Sequence, residues 1–228
     1  MLFRSNPILF RTTDNITIDG SEFSEGNKDA IVFDSNNIKS IDWSTKGGNI
    51  KIEANKTLNV STGNSMHDAL GRIILEDENI KYLFYDHGTS EMADYIAIKE
   101  DVTSIEVSLY HVKKMTASNY NSSVEDIYEI SGQSIKSIIW LKNKASFLEK
   151  FYTRQKIGKC ESIKGNPSIL RNNINKNKQF IGKVIMVQPS IKKESAIPEK
   201  IQEIIAATNF YIKNSGTVKS FEILGSFH

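Results

Sequence analysis

The sequence predicts a mixed α/β fold in which a central sheet lies between helices, and three observations support this class. Residues 81–113 consist of three short strand patterns joined by polar turns. Residues 122–152 and 198–212 place apolar side chains at helical spacing. A strand, a helix and a second strand follow one another over residues 183–224. This order favours a parallel pair, because parallel strands need a crossover connection.

The N-terminal part is predicted to be a small antiparallel β-rich subdomain over residues 1–62, followed by a larger α/β domain over residues 63–228. Short β patterns separated by polar turns occur at 7–11, 16–18, 30–33, 38–43 and 50–52. The acidic stretch 21–30 is predicted to be a loop. Residues 61–75 change to helical spacing, with Asn64 or Ser65 as the N-cap.

The three central strands are predicted at 81–85, 92–98 and 105–113. Asp94 lies between apolar neighbours in the second strand, and the third strand alternates strictly. Successive strand side chains point to opposite faces, so His111 and Lys113 share a face with Val107 and Leu109. If the second and third strands pair, a carboxylate, an imidazole and an ammonium group converge at one end of the sheet.

An aspartate, a turn and a strand ending in x-x-Lys resemble the PD-(D/E)XK nuclease superfamily, which has the restriction-endonuclease-like fold. The strings YDHGTSEMADYIAI, LYHVKK, VEDIYEISGQSIKSIIWL, VQPSI, IIAATNFYI and FEILGS resemble a nuclease-like domain at the C-terminal end of bacterial anti-phage defence helicases. The resemblance implies a nuclease that cleaves DNA with Mg²⁺ or Mn²⁺, in a defence or restriction system with a helicase or ATPase partner. It implies Asp94 as a metal ligand and Lys113 as the cation near the scissile phosphate.

The chain departs from the superfamily pattern at His111, which stands where the second acidic residue is expected. Imidazole suits Mn²⁺ and other transition metals better than the hard Mg²⁺ ion. Glu91 or Asp86 could supply the missing carboxylate, provided that the strand begins after Glu91 or contains a bulge. His111 itself could act as a ligand or base. The alternative is a catalytically inactive relative that binds DNA or docks onto a helicase.

Simpler explanations of these residues also exist. A pair such as Lys113 and Lys114 commonly marks a solvated strand end, and an aspartate in a strand can be an edge device. In the superfamily, an acidic residue on the preceding helix often supports the metal, and Asp68, beside His67, is the only carboxylate in that helix. An exposed aspartate favoured by the helix dipole is the simpler interpretation of Asp68.

Charge is distributed unevenly along the chain. Residues 114–228 contain 18 Lys and Arg against 9 Asp and Glu, whereas residues 1–113 contain 11 against 18. A basic half is suited to phosphate contacts, although lysine-rich surface helices are common in any protein. The candidate nucleic-acid contacts are Lys114, Gln133, Lys142 and Lys144.

Gln133 lies on a helix predicted to begin near Ser122 and run to about residue 152, with Glu125 completing a capping box. Nucleases of the superfamily carry a Gln-x-x-x-Tyr motif on the corresponding helix, and Ser137 stands here at the tyrosine position. Trp140 is expected in the core rather than as a stacking platform. Later elements are predicted as a loop over 153–180 with a short helix at 168–172, a strand at 183–188, a helix at 198–212 and a strand at 221–224.

Composition excludes several classes of protein. No run of 18 apolar residues is present, so no membrane span is expected. The first residues lack the pattern of a secretory signal, and the cytoplasm is the expected compartment. Cys160 is the sole cysteine, which rules out an internal disulfide and a cysteine-based zinc site.

Overall fold

The computed structural model describes residues 33–174 and 178–227 in full, and in the N-terminal part the backbone of three strands. These strands are β1 (Leu9–Arg11), β2 (Ile16–Asp19) and β3 (Glu22–Glu25), which pair antiparallel in that order. The antiparallel patch expected from the sequence is confirmed, and β3 corrects the expected loop. The strand predicted at 30–33 falls largely outside the described residues.

Contacts divide the chain into one unit of residues 1–32 and a second unit of residues 33–228. The second unit contains a seven-stranded mixed sheet. Its strands are β4 (Ile38–Ile41), β5 (Ile80–Tyr85), β6 (Tyr95–Glu100), β7 (Ser104–Val112), β8 (Glu161–Lys164), β9 (Gln179–Lys192) and β10 (Val218–Ser226), in the order β4-β10-β9-β7-β6-β5-β8. Its helices are α1 (Met66–Leu75), α2 (Val124–Leu141), α3 (Lys144–Lys156), α4 (Pro167–Ile174) and α5 (Glu199–Asn214).

The sheet combines an antiparallel meander with parallel crossovers. Strands β5, β6 and β7 pair antiparallel in succession, with Tyr95 opposite Tyr110. Strand β9 then pairs parallel with β7, and β10 pairs parallel with β9 after the α5 crossover. The parallel pair expected from the strand, helix and strand order is therefore confirmed. Strand β8, which pairs antiparallel with β5, lies in the segment predicted as a loop.

Apolar side chains cover both faces of the sheet, which gives three layers. One core contains Val107 and Leu109 of β7 together with the buried residues of α2, α3, α4 and α5. The other contains Val112 of β7, Met66 and Leu70 of α1, and Trp43. Alternate residues of a strand thus pack in different cores, as the pleat requires. Among the described residues, no helix is long and apolar enough to cross a bilayer.

Two predicted elements differ from the structure. Residues 50–52 do not form a strand, and Ile50 and Lys51 lie in a turn in which Asn49 Oδ1 accepts the backbone N–H of Lys51 at 2.9 Å. The single helix expected over 122–152 is two helices, and the break lies at Asn143, whose side chain accepts the backbone N–H of Ser146 at 2.9 Å. Gly132 stays helical. The N-cap of α2 is Ser123, one residue after the predicted Ser122.

Candidate metal centre

The candidate site lies at the end of the sheet where β5 ends, β6 begins and β7 ends. Asp94 precedes β6 by one residue, so it lies ahead of the strand and not within it as predicted. Its side chain is almost fully buried, at 3% exposure. Asp94 Oδ2 accepts the backbone N–H of Val112 at 2.8 Å, and the Asp94 carbonyl accepts the backbone N–H of Asp86 at 3.0 Å. The Val112 N–H therefore fixes the carboxylate, and the bond from Asp86 fixes the backbone of Asp94.

Two imidazoles converge on the other oxygen of this carboxylate. Asp94 Oδ1 lies 3.0 Å from His87 Nδ1 and 3.4 Å from His67 Nε2. The three ligand atoms all lie within 4.8 Å of one another. His67 is buried, whereas the His87 side chain is 40% exposed, so the group is open to solvent on the His87 side.

The orientation of His67 follows from α1 and β5. Ser65 and Asp68 form a capping box that begins α1 immediately before His67. His67 Nδ1 lies 2.8 Å from the hydroxyl oxygen of Tyr85, the last residue of β5. A proton on Nδ1 that donates to this oxygen leaves the Nε2 lone pair directed at Asp94. A histidine ligand with its second nitrogen hydrogen-bonded is the usual arrangement in metal sites.

The charges of the group are set by burial and by one another. Burial lowers the pKa of His67 and so favours the neutral imidazole, despite the opposing charge of Asp94. The hydrogen bond with Asp94 raises the pKa of His87. Burial alone would raise the pKa of Asp94, but the His87 hydrogen bond and the neighbouring His67 and His111 outweigh it and hold that pKa below its ordinary value. The carboxylate is therefore ionised.

Glu91 lies beside this group but is not one of the three converging residues. Glu91 Oε2 lies 3.6 Å from His87 Nδ1 and accepts the backbone N–H of Gly88 at 2.5 Å. Burial, followed by the charge of Asp94, raises the pKa of Glu91 to about 7. Because β6 begins at Tyr95, Glu91 and Asp94 both precede the strand. The alternation of a strand therefore does not force their side chains to opposite faces of the sheet.

Asp86 holds the loop and does not face the cluster. Its Oδ1 pairs with Arg154 Nε of α3 at 2.5 Å, and its Oδ2 accepts the backbone N–H of Met92 at 2.8 Å. Arg154 Nη1 also donates to the Thr89 carbonyl at 2.6 Å. Both side chains of this ion pair are buried. The pair therefore attaches the loop, which contains His87, to helix α3.

His111 and Lys113 have different surroundings at the end of β7. His111 is 2% exposed, and neither ring nitrogen has a hydrogen-bond partner among the residues that the structure describes. Burial lowers its pKa to about 4, so the ring is neutral at neutral pH. Lys113 Nζ pairs with Glu129 at 2.6 Å and with Glu53 at 3.5 Å. Lys113 directly follows Val112, whose N–H binds Asp94, so aspartate and lysine lie at the same end of the sheet.

The candidate nucleic-acid residues are not brought together as one surface. Gln133 lines a cavity of about 340 Å³ between α2 and the loop after β5, which His87, Glu91 and His111 also line. Lys142 lines a different groove, with Phe210 and Tyr211 of α5. Lys144 begins α3. The backbone N–H of Lys114 donates to Glu53 at 3.2 Å.

The two histidines of the cluster are the residues that sequence reasoning missed. His67 was considered only as the neighbour of Asp68, and His87 only as part of the string YDHGTSEMADYIAI. Asp68 is buried and not exposed as expected. Its carboxylate accepts hydrogen bonds from Ser65, Asn55 and Asn59 and therefore stabilises the start of α1.

Comparison with known proteins adds nothing to this geometry. No family model, no curated protein and no solved structure matches the chain. The fold and the site define a mixed α/β protein with a candidate centre of two histidines and one aspartate.

Proposed function

We propose that the protein is a metal-dependent nuclease that hydrolyses phosphodiester bonds of DNA. The observation that carries the proposal is the convergence of His67 Nε2, His87 Nδ1 and Asp94 Oδ1 at the end of the meander. Lys113 follows the same end of β7 and supplies a cation at this edge of the sheet. An oxygen ligand for a metal and a nearby cation are what phosphodiester hydrolysis needs.

The donor set favours a transition metal over Mg²⁺. Ligand atoms around one ion lie about 3–3.5 Å apart when each bond is about 2.1 Å. The separations of 3.0 and 3.4 Å from Asp94 Oδ1 agree with this spacing. Two imidazole nitrogens and one carboxylate oxygen suit Mn²⁺ or Zn²⁺, whereas Mg²⁺ prefers oxygen ligands. Of the two ions expected from the sequence, Mn²⁺ fits better.

The residues around the centre have separable tasks in this proposal. The bound ion would lower the pKa of a water molecule and neutralise charge on the phosphate. Glu91, whose Oε2 lies 3.6 Å from His87 Nδ1, is placed to accept a proton from that water. Lys113 would leave its partner Glu129 to stabilise the charge that develops on the phosphoryl oxygens. Tyr85 would hold His67 in the ligating orientation.

A second candidate is a module of the same fold that binds DNA or a helicase without cleaving DNA. The ion pairs of Lys113 with Glu129 and Glu53 favour it, because they engage the cation that the chemistry requires. His111 at the position of the second carboxylate favours it as well. For either candidate, a helicase or ATPase partner and a role in bacterial defence rest on the sequence resemblance alone.

The test is cleavage of supercoiled plasmid and of linear DNA with Mn²⁺, Mg²⁺, Zn²⁺ or EDTA, for wild type and Asp94→Asn. We expect cleavage with Mn²⁺, weaker cleavage with Mg²⁺ and none with EDTA. Asp94→Asn should lower the rate by about 100-fold or more, since it removes a charged ligand. The matched control is Glu78→Gln, which neutralises an exposed carboxylate outside the cluster.

Two results would contradict the proposal. One is the absence of cleavage by wild type under every metal condition, alone or with a helicase present. The other is Asp94→Asn protein that cleaves as fast as wild type. If wild type binds Mn²⁺ in calorimetry but cuts nothing, the non-cleaving module becomes the better description.

A further inference from the structure

A cavity lies next to the cluster of His67, His87 and Asp94, and most of the residues that line this cavity do not belong to the cluster. The loop after β5 forms one wall, with His87 and Glu91, and α2 forms the other. Gln133, Lys136, Ser137 and Trp140 of α2 lie on the same wall, because residues three, four and seven positions apart share a helical face. His87 belongs to both the cluster and the cavity, so a molecule in this cavity would lie next to the metal ligands.

Buried polar atoms without partners line this cavity. His111 is 2% exposed. Among the described residues, neither of its ring nitrogens has a hydrogen-bond partner. Gln133 Oε1 is also buried and unpartnered. Buried polar atoms are nearly always hydrogen-bonded, so unpartnered atoms in the wall of a pocket are suited to a ligand that reaches them with donors and acceptors of its own. Nucleobase edges carry both kinds of group.

Trp140 and two lysines add an aromatic surface and positive charge. Trp140 is half-buried and packs in part against the core, as expected from the sequence, and Lys150 Nζ lies 4.9 Å from the centre of its indole ring. Lys136 is exposed on the turn of α2 before Trp140. In the part of the chain that the structure describes, neither lysine forms an ion pair with a carboxylate. Burial, followed by the charge of Arg154, lowers the pKa of Lys150; the charge of Asp86 opposes this shift, and that of Lys136 adds to it. An anion at this position would relieve their repulsion.

We propose that this cavity binds one unpaired nucleotide of a single-stranded nucleic acid beside the metal centre. The base stacks on Trp140 and bonds to Gln133 and His111, and the phosphate lies between Lys136 and His87. The volume of about 340 Å³ lies near the lower limit for small-ligand pockets and suits one nucleotide rather than a duplex. A base paired in a helix cannot enter a cleft between a loop and a helix without leaving the stack. The inference rests on the proposed function and narrows its substrate to unpaired strands.

The test measures binding without cleavage, by fluorescence anisotropy in EDTA. The probes are fluorescein-labelled dT12, rU12 and a 12-base-pair DNA duplex. We expect either single strand to bind at least about tenfold more tightly than the duplex, because stacking of a base on an aromatic ring requires an unpaired base. Comparison of dT12 with rU12 identifies the sugar that the pocket accepts, and tighter binding of either one supports the proposal.

Variants on two faces of α2 test the location. Trp140→Ala should weaken single-strand binding by about tenfold or more, and Trp140→Phe should recover most of it. Ile139→Ala truncates an exposed side chain in the other groove of the same helix and should leave binding unchanged. Circular dichroism and thermal unfolding check the fold of each variant. If Trp140→Ala does not fold, Lys136→Gln, whose side chain is exposed, measures the same cavity and should weaken binding severalfold.

The proposal is overturned if the duplex binds as tightly as both single strands, or if the folded cavity variants bind like wild type. These results are independent of the nuclease test. Protein that cleaves DNA but shows no Trp140-dependent binding refutes the nucleotide pocket alone. Protein that binds single strands through Trp140 but cleaves nothing refutes the nuclease alone.

Discussion

The backbone N–H of Val112 donates a hydrogen bond of 2.8 Å to Asp94 Oδ2, which joins the residue ahead of β6 to the last residue of β7. Asp94 Oδ1 is thereby left facing His87 and His67. A main-chain donor cannot rotate away as a side chain can. The direction of the carboxylate is therefore a property of the sheet, and it should persist in variants that alter the two histidines.

Tyr85→Phe should weaken Mn²⁺ binding without removing any ligand. The hydroxyl group lies 2.8 Å from His67 Nδ1 and fixes the ring, so its loss should raise the dissociation constant about 10- to 100-fold. Isothermal titration calorimetry measures this directly. Tyr128→Phe is the matched control, because Tyr128 is 57% exposed on α2. Equal affinity of Tyr85→Phe and wild type would show that His67 does not ligate through Nε2.

Lys113→Ala should abolish cleavage while Mn²⁺ binding stays intact. The ammonium group lies at the edge that carries Asp94 but is not a metal ligand, so its loss should lower the rate by about 100-fold or more. Lys114→Ala changes the next residue and should have a much smaller effect. Plasmid cleavage and calorimetry are run on the same preparations. If Lys113→Ala protein cleaves DNA normally, Lys113 has no role in cleavage and serves only in its ion pairs with Glu129 and Glu53.

His111→Leu should make stability less sensitive to acid. The folded pKa of His111 is about 4, below the ordinary 6.5, because the ring is buried. Between these values the unfolded chain binds a proton that the folded chain does not, so the free energy of unfolding falls as pH decreases from 6.5 to 4. This loss amounts to about 3 kcal/mol for one fully buried group. Urea unfolding at pH 7.5 and at pH 4.5 measures it for wild type and His111→Leu.

The difference between the two proteins isolates the histidine from other titrating groups. We expect His111→Leu to be close to wild type in stability at pH 7.5, or above it, since both ring nitrogens lack partners. At pH 4.5 the variant should be the more stable protein. An unchanged difference between the two pH values would show that His111 does not resist protonation in the folded state.

Arg154→Ala should be strongly destabilising because it leaves Asp86 buried and unpaired. Loss of one partner of a buried ion pair costs about 3–5 kcal/mol, whereas loss of an exposed pair costs about 0–1 kcal/mol. Lys39→Ala, which breaks the surface pair with Glu222, is the matched control. Urea unfolding provides the comparison. The double variant Asp86→Asn and Arg154→Met should recover part of the loss, and a loss as small as that of Lys39→Ala would contradict the assigned role of the pair.

The sequence predicted those features of the fold that depend on residues close together in the chain. The alternation of β7 placed His111 on the same face as Leu109, and the apolar spacing of α5 together with its flanking strands predicted the parallel pair. Asp94 was identified as the acidic residue of the site. Its position one residue ahead of β6 was not, because periodicity does not define strand ends to a single residue.

The remaining features depend on contacts between distant segments. His67 and Asp94 meet because α1 packs on one face of the sheet, and no spacing rule relates a helix to a loop in this way. The pairing of β8 with β5 and of β4 with β10 is non-local for the same reason. The candidate metal ligands from α1 and from the turn could therefore not be predicted from sequence patterns.

The position of β10 between β4 and β9 affects how this chain can fold during synthesis. Ile38 of β4 pairs with Ile223 of β10, so an early strand has no neighbour in the sheet until residues 218–226 have left the ribosome. Until then the edge of β9 is uncovered and open to pairing with other chains. Translation that stalls before residue 218 should therefore produce an aggregation-prone product, even though the segments that carry His67, His87 and Asp94 are already complete.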